Sequence, residues 1–421
     1  MNRLEKSIYD LVKRNPRLKT MLRNKYQELF DLFPKTTRLH SSLDLEVRKG
    51  YFFGFHDHSP FSYHGGYLLA NKHSNKFFMP VLGDELEVGV FTGEGWKQYE
   101  PITTTRAWNW HMGCRLQWVG TRNCFFFNDF SEGEIRARLF DLDSLNDRWF
   151  DYPISSVSAN GAYFLSYDFS DVESLMPGYG YKSKDQSYFV SRTHSALTIV
   201  SCKNGTSRNL IEPGQLLDFG KKSWKADSYH FLSHTQISPC SQLIAFLHRW
   251  IDDGTDIRKR HSRLLICNID GKMIAELPTN GMVSHFCWVS SSKILAFCSS
   301  DELGSCYHMF EITDQSTIVV SQFSDLKVDG HPSYNSFIDA VVTDTYPNRS
   351  RMQNLFVLDL DKGKPEKVAS FYMPKDFQSP SAFSHWSVDL HPRWSRDGAY
   401  ICVDSAFCGV RSMVTLKVNA K

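Results

Sequence analysis

The sequence has no apolar run of the roughly eighteen residues that a helix needs to cross a bilayer, and its first residues lack the apolar core of a secretory signal. Charge of one sign is not in excess either, because 48 basic residues face 46 acidic ones and the formal net charge is +2. A chain this balanced has no overall field to attract nucleic acid. These absences favour a cytoplasmic protein without a transmembrane segment and without a nucleic acid partner, in which any charged ligand is held by a local cluster.

Paired cysteine motifs are also missing. None of the 10 cysteines forms a Cys-x-x-Cys pair, the spacing that many zinc and redox motifs share. Most of them lie inside apolar runs, as Cys267 does next to Ile266 and Cys402 does next to Ile401. Such residues behave as small buried hydrophobic side chains, and reduced cysteines agree with a cytoplasmic setting.

A helical period is present only near the start of the chain, in residues 1–40. Apolar residues recur there at intervals of three and four from Leu4 to Phe30, and Asn15-Pro16 has the form of a helix cap followed by a first helical residue. The pattern predicts two short amphipathic helices. Their excess of basic residues allows peripheral contact with a membrane or a partner, but the narrow apolar stripes favour docking on the main domain.

A hairpin pattern recurs through residues 41–421. Its clearest copy has a strand that ends in Trp394-Ser395, a tight corner that ends in Gly398, and a β-rich strand from Ala399 to Val403. The equivalent strand-ending residues of the other copies are Phe61, Trp118, Val157, Ile237, Trp288 and Tyr334. Seven copies, each followed by further strands, predict an all-β fold, a seven-bladed β-propeller with a short N-terminal α-helical extension.

The residue three positions before the strand-ending residue is histidine in five of the seven copies. These residues are His58, His234, His285, His331 and His391, while Arg115 and Ile154 stand in the other two copies. In a propeller this position opens the innermost strand, so the equivalent side chains of all blades converge at one mouth of the central channel. Residues after the second strand return to the same face and include Arg249, Asp344, Tyr346 and Asp404. A single such histidine has about even odds of a structural role, and the shared register strengthens the functional interpretation of the set.

Three stretches carry a resemblance to known families. Trp394–Gly398 resembles the TolB-type propeller repeat, and His234–His248 is similar to the corresponding part of oligogalacturonate lyases. Tyr51–Pro60 is similar to the opening of propeller proteins encoded among bacterial surface-polysaccharide genes. The resemblance, which extends to ulvan lyase-like propellers, covers about residues 51–418 and specifies fold better than activity. It implies a lyase that cleaves an acidic, uronate-containing oligosaccharide or polysaccharide by β-elimination.

The resemblance and the shared position at the channel mouth together suggest roles for individual residues. The catalytic candidates are His234 as base, Arg249 and Arg393 as carboxylate partners, and Tyr346 as acid. The candidate substrate contacts are His58, Arg106, Trp110, Arg115, His331 and His391. Trp108 and Trp110 are either a sugar platform or core residues. Oligogalacturonate lyases hold a metal with histidines and a glutamine, which implies a divalent ion, Mn, Ca or Zn, at a set drawn from His234, Gln236, His285, His331 and His391.

Two other functions use the same scaffold. One is a non-catalytic propeller that binds a glycan or a protein during surface-polysaccharide assembly. The other is a glycoside hydrolase, in which paired carboxylates such as Asp344 and Asp404 matter more than histidine. A new unsaturated uronate, detected by its ultraviolet absorbance, distinguishes the lyase from both.

Overall fold

The computed structural model describes residue 25 and residues 36–39, 43–74, 78–182, 197–220, 222–252, 257, 259–301, 304–312, 317–323, 326–379, 381 and 384–418. The two predicted N-terminal helices fall on residues 1–35 and, apart from Lys25, lie outside this part of the chain. Among the described residues, no helix is long and apolar enough to cross a membrane.

Seven antiparallel sheets follow one another along the described chain as the blades of a propeller. Two strands come before the first blade, β1 (Arg38–Leu39) and β2 (Leu43–Lys49). From the innermost strand outward, blade 1 is β3 (Tyr51–Phe52), β4 (Leu68–Lys72), β5 (Leu86–Thr92) and β6 (Gln98–Thr105), and blade 2 is β7 (Gln117–Trp118), β8 (Cys124–Ser131), β9 (Glu134–Asp141) and β10 (Asn146–Phe150). Blade 3 is β11 (Ser156–Val157), β12 (Tyr163–Ser166), β13 (Leu197–Ser201) and β14 (Ser207–Ile211), and blade 4 is β15 (Tyr229–Ile237), β16 (Leu243–Ile251), β17 (His261–Asn268) and β18 (Met273–Glu276).

The last three blades follow the same order. Blade 5 is β19 (Val283–Trp288), β20 (Lys293–Ser300), β21 (Gly304–Ile312) and β22 (Thr317–Phe323). Blade 6 is β23 (Ser333–Asn335), β24 (Ala340–Asp344), β25 (Met352–Asp359) and β26 (Pro365–Tyr372), with β1 as a fifth strand, and blade 7 is β27 (Arg393–Trp394), β28 (Tyr400–Ser405), β29 (Ser412–Val418) and β2. The predicted seven-bladed all-β fold is therefore confirmed.

Blade 7 closes the ring with strands from two distant parts of the chain. β2 pairs antiparallel with β29, from Leu43 opposite Val418 to Lys49 opposite Ser412. The inner hairpin of the same blade is the clearest copy of the sequence repeat, with Trp394 opposite Ile401 and a corner at Gly398, where φ is 70°. Glycine suits this corner because it reaches positive φ without a steric penalty.

The core lies between the blades, because alternate side chains of each strand face opposite neighbours. In β8, Phe125 and Phe127 pack into the cluster of blade 1, whereas Phe126 packs toward blade 3, with its ring centroid 5.3 Å from that of Phe164. Each of these fully buried rings contributes about 2 to 3 kcal/mol of hydrophobic stabilisation. Blades therefore hold each other in place, and the inner strands form a rigid wall around the channel.

Short helices interrupt the sheets in the described chain. Helix α1 (Phe169–Leu175) follows β12, helix α2 (Pro213–Asp218) follows β14, and a 3-10 turn (Lys375–Phe377) follows β26. Asp168 caps α1, since its side chain accepts hydrogen bonds from the backbone N–H groups of Ser170 and Asp171. The segment after α1 returns over the channel mouth and contributes to the site described below.

Candidate active site at the channel mouth

In three blades the residue three positions before the strand-ending residue has an unusual backbone conformation. Arg115 and His391 stand shortly before β7 and β27, His234 lies within β15, and their φ angles of 62°, 44° and 53° are in the left-handed region. A residue with a Cβ loses roughly 1 kcal/mol or more there. In blade 4 the strand register also shifts between Ser233 and Gln236, and irregularities of this kind re-aim a side chain.

Four of the five predicted histidines meet at this mouth. The ring centroid of His331 lies 4.3 Å from those of both His285 and His391. His234 joins them through Phe55, whose ring lies 5.0 Å from His234 and 5.1 Å from His391. All four histidines are buried, so the shared register in the sequence corresponds to a shared position in the fold.

Phe55 belongs to residues 53–60, which leave blade 1 after β3 and enter the channel. His56, which the sequence did not single out, follows it into the cluster and lies 5.4 Å from His331 between ring centroids. His58, which was predicted, does not join the cluster. Its Nε2 instead lies 3.7 Å from the carboxylate of Asp57.

A compact donor set lies beside the histidine cluster. His111, Asp389 and His391 are buried, and each offers a ligand atom within 4.8 Å of the other two. Neither ring nitrogen of His111, nor the Nε2 atoms of His391 and His331, has a hydrogen-bond partner among the described residues. The Nδ1 of His331 lies 2.9 Å from the carboxylate of Asp344, the arrangement that orients many metal-binding histidines. These residues are a candidate metal centre, in which His111 and Asp389 were not predicted.

The other predicted metal ligands lie elsewhere on the rim. The Gln236 amide donates a 2.8 Å hydrogen bond to the carbonyl of Phe286 between blades 4 and 5, which takes it out of the donor set. His285 Nδ1 lies 3.1 Å from Asp329. His234 contacts Phe55 and is not part of the compact donor set. Of the predicted set, the structure therefore places only His391 in the compact donor set and His331 beside it.

Burial keeps most of these imidazoles neutral. It lowers the pKa of His111, His234 and His391 well below the ordinary value, and nearby cationic groups lower it further. His331 differs, because burial lowers its pKa but the carboxylates of Asp344, Asp389 and Asp329 together raise it above the ordinary value. A neutral imidazole has a free lone pair, so the cluster can accept a proton or bind a metal at neutral pH.

Arg249 lies at the end of the second strand of blade 4 and makes no ion pair or hydrogen bond with the described residues. Burial and the nearby Arg260 lower its pKa to about 10, and Tyr179 and Tyr346 lie close enough to act in the opposite direction. A guanidinium group this poorly compensated is ready for an external anion. The structure therefore leaves the predicted carboxylate partner Arg249 available.

The other two arginines near the mouth have acidic partners. Arg115 forms a bidentate pair with Asp57, with N···O distances of 2.9 and 2.8 Å. Arg393 is fully buried, donates to the backbone carbonyl of Phe55 at 3.1 Å and pairs with Asp404 at 3.1 Å, while its Nη1 has no partner among the described residues. Both guanidinium groups hold residues 53–60 in the channel, and their roles toward a substrate stay predictions.

The carboxylates that end the second strands also have a shared structural use. Asp344 accepts a hydrogen bond from the backbone N–H of His391 at 3.2 Å, and Asp404 accepts one from that of Phe53 at 3.0 Å. These hydrogen bonds join blade 6 to the start of blade 7, and blade 7 to the segment that follows β3 of blade 1. Both carboxylates are therefore engaged in contacts between blades.

A cavity of about 380 Å³ opens next to the donor set. His111, Tyr179, Tyr346, Arg351, His385 and Asp389 are among the residues that line it. Tyr346 is 38% exposed, and burial of its hydroxyl together with Tyr179 and Asp329 raises its pKa well above the ordinary value. Burial also raises the pKa of Asp389 to about 6. The predicted acid Tyr346 is therefore in the site and protonated at neutral pH.

The predicted aromatic platform is part of the core instead. Trp108 and Trp110 are 5% and 3% exposed, which leaves no open ring face for a sugar. Their indole N–H groups donate to the backbone carbonyls of Asp84 and Phe78, so they anchor the loop between β4 and β5. Arg106 is exposed, and its guanidinium donates to the carbonyl of Phe130 at 3.1 Å.

Comparisons with known proteins support the fold. No family model and no curated protein sequence matches the chain. An oligogalacturonate lyase from Vibrio parahaemolyticus is similar in structure, with a TM-score of 0.59 and 12% identity over 91% of this chain and 99% of the lyase. A second oligogalacturonate lyase, in complex with manganese, gives a TM-score of 0.59 and 13% identity over 92% of this chain and 97% of its own. TolB from Acinetobacter baumannii is more distant, with a TM-score of 0.39 and 10% identity over 72% and 64%. The lyase likeness shows a common propeller fold and agrees with the resemblance found in the sequence.

Proposed function

We propose that the protein is a polysaccharide lyase that cleaves a uronate-containing glycan by β-elimination at the channel mouth. The observation that carries this proposal is the presence, in one site, of buried imidazoles and of the Arg249 guanidinium, in which the His234 Nδ1 and Arg249 Nε atoms have no hydrogen-bond partner among the described residues. The reaction needs a base for the C5 proton, a cation for the uronate carboxylate and a proton donor for the leaving oxygen. The two proteins of similar structure are oligogalacturonate lyases, which supports a lyase reaction for this protein.

Each role has a residue at the mouth. Arg249 binds the uronate carboxylate and stabilises the negative charge that develops when C5 loses its proton. His234 takes that proton on its Nδ1, which is buried and has no hydrogen-bond partner among the described residues. The electron pair left at C5 forms the C4–C5 double bond as the bond from C4 to the bridging oxygen breaks. That oxygen takes the hydroxyl proton of Tyr346, which water then restores.

The donor set fits a divalent metal. His111, Asp389 and His391 supply two nitrogen atoms and one carboxylate oxygen, and the buried histidine nitrogens have no competing hydrogen bonds within the described chain. His331 stands beside this set, with its ring centroid 4.3 Å from that of His391. Imidazole-rich sets suit Mn or Zn better than Ca, which prefers oxygen ligands, and one similar lyase is a manganese complex. A metal bound here supplies further positive charge for the uronate carboxylate.

Incubation with a panel of uronate-containing oligosaccharides tests the reaction. The expected product is an unsaturated uronate, seen as a rise in ultraviolet absorbance, and the His234→Gln variant is expected to lose most of that rise. His64→Ala is a matched control, since His64 is exposed on the protein surface away from the mouth. Saturated product ends would replace the proposal with hydrolysis, and binding without any product would replace it with a glycan-binding propeller.

The proposal includes a cellular setting. We place the enzyme in the cytoplasm, where it acts on imported oligosaccharides or on intermediates of surface-glycan assembly. A short substrate of this kind suits a cavity of about 380 Å³, which accommodates a small ligand but not a long chain. Activity on oligosaccharides with none on the intact polymer is the expected result.

A further inference from the structure

A buried carboxylate behind the site has no part in the proposed mechanism. Glu173 lies on α1 and is 6% exposed. Its Oε2 accepts a 2.8 Å hydrogen bond from the backbone N–H of Gly178, and Gly180 packs closely against the backbone of Glu173. Between these two glycines stands Tyr179, whose ring stacks on His111 at a centroid distance of 4.8 Å and an angle of 11°. Glu173 therefore holds the loop next to a residue that lines the cavity.

The same loop is tied directly to the candidate metal ligand His111. The Asn109 amide donates to the carbonyl of Gly180 at 2.9 Å, while its oxygen accepts from the backbone N–H of His111 at 3.0 Å. The loop also has no spare room, because a Cβ on Gly180 would collide with the carbonyl of Phe169. A change at Glu173 is thus transmitted to Tyr179 and His111 through a short, tightly packed path.

We infer that Glu173 is a positioning residue, whose ionised carboxylate holds the loop of residues 178–180 so that Tyr179 stays stacked on His111, and whose protonation loosens that hold. The carboxylate accepts the backbone N–H of Gly178 on a charged oxygen, whereas the protonated acid is a weaker acceptor for that bond. The inference rests on the proposed function only in taking Tyr179 and His111 as parts of the active site. It adds a control by pH that the mechanism itself does not contain.

Burial brings the protonation of the Glu173 carboxylate close to neutral pH. Burial raises its pKa to about 7, while the Gly178 N–H, Lys182 and the Gly180 N–H act in the opposite direction. Lys182 is the charged side chain that acts on Glu173 among the described residues, and His385 packs against Gly178 from the other side. For a group with this pKa the ionised fraction falls about tenfold between pH 8 and pH 6.

Hydrogen exchange of residues 176–181, followed by mass spectrometry and corrected for intrinsic rates, tests this without any substrate. Protection of the wild-type loop is expected to fall between pH 8 and pH 6 by up to about tenfold, the change in the ionised fraction. Glu173→Gln is expected to give low protection at both pH values, and Glu94→Gln, at an exposed turn, to behave as the wild type. Equal protection in Glu173→Gln and wild type, or a wild-type loop without a pH step, would overturn the inference.

Activity provides the second readout. If uronate cleavage is observed, its kcat is expected to decline below about pH 7 in the wild type, and this decline is expected to be missing in Glu173→Gln, whose kcat is low throughout. A decline that persists unchanged in Glu173→Gln contradicts the inference. Because the exchange experiment needs no substrate, failure of the lyase proposal and failure of this inference are separately visible.

Discussion

The Nδ1 atom of His331 lies 2.9 Å from Oδ1 of Asp344, and both residues are 1% exposed. Asp344 also accepts hydrogen bonds from the backbone N–H groups of His331 and His391. One carboxylate thus orients an imidazole of the site and joins blade 6 to blade 7. Its removal is expected to affect stability and the site together.

The first prediction concerns Asp344→Asn. The paired carboxylate raises the pKa of His331 above its unfolded value despite burial, so the pair stabilises the fold below about pH 6.5 and this contribution is lost as the pH rises through the folded pKa. We expect the variant to lower the free energy of unfolding by about 3 kcal/mol at pH 6 and by less at pH 9. Urea denaturation at the two pH values measures this, with the exposed Asp151→Asn as control. An equal loss at both pH values would contradict the ion pair.

The second prediction contrasts a partly buried arginine, Arg249, with a fully buried one, Arg393. Arg249 has no partner within the described chain, whereas Arg393 is paired with Asp404 and backbone carbonyls. Arg249→Met is expected to leave the free energy of unfolding unchanged or higher, since it removes an uncompensated charge. Arg393→Met is expected to lower it by about 3 to 5 kcal/mol, because Asp404 is left buried and unpaired. Denaturation curves of both variants measure the free energy of unfolding. A similar loss of unfolding free energy in both variants would contradict the role of Arg249 in binding the substrate.

The same pair separates binding from folding in activity. Arg249→Met is expected to lower kcat/KM for a uronate substrate by about 100-fold, which corresponds to roughly 3 kcal/mol of lost carboxylate stabilisation. Steady-state kinetics on the unsaturated product measures this. If the Arg249→Met enzyme keeps its full kcat/KM, another cation binds the uronate carboxylate of the substrate.

A further prediction concerns the metal. His391→Ala and His111→Ala are expected to lose bound Mn or Zn, since each removes a nitrogen ligand of the donor set. His64→Ala, an exposed histidine outside the set, is expected to retain it. Elemental analysis after dialysis against the metal gives the stoichiometry for each protein. If His391→Ala retains the metal, or only His285→Ala loses it, the metal is held by other histidines of the channel mouth and not by the donor set.

Trp110 provides a test of the corrected aromatic role. Its ring packs on Phe52 and on the guanidinium of Arg411, with Arg411 Cζ 4.5 Å from the ring centroid. Trp110→Ala is therefore expected to cost about 3 to 5 kcal/mol of unfolding free energy. Thermal denaturation with and without an oligosaccharide measures both stability and binding. Weaker sugar binding at unchanged stability would restore the platform interpretation.

The seven blades were predictable because the repeated hairpin is a local pattern. The strand that ends in Trp394, the Gly398 corner and the buried strand behind it are contiguous, and copies in other blades need only be aligned. The register of His234, His285, His331 and His391 followed from that alignment. The contacts of the individual residues could not be predicted from that alignment. The pairing of Arg115 with Asp57 and of Arg393 with Asp404 depends on the path of residues 53–60 through the channel.

Two of the three residues of the donor set, His111 and Asp389, were not predicted from the sequence for the same reason. His111 lies on a loop between blades, and it reaches the mouth because that loop packs against the Phe55 segment. A Cβ on Gly54 would lie 2.8 Å from the backbone of Met112, a closeness that no local pattern reveals. Asp389 had one signal, its position two residues before His391, which points to the same face of an extended segment.

The pairing of β2 with β29 also means that blade 7 can be completed only after the end of the chain has been synthesised. Residues 43–49 leave the ribosome early, but their partners at 412–418 follow only after some 20 to 70 s at about 5 to 20 residues per second. Until then β2 is a free edge that can pair with another chain. Its alternating pattern limits this hazard, because Asp44 and Glu46 are exposed on one face while Leu45 and Val47 pack toward blade 7. Premature release of the chain, rather than loss of any single contact, is therefore the event most expected to send this protein into aggregates.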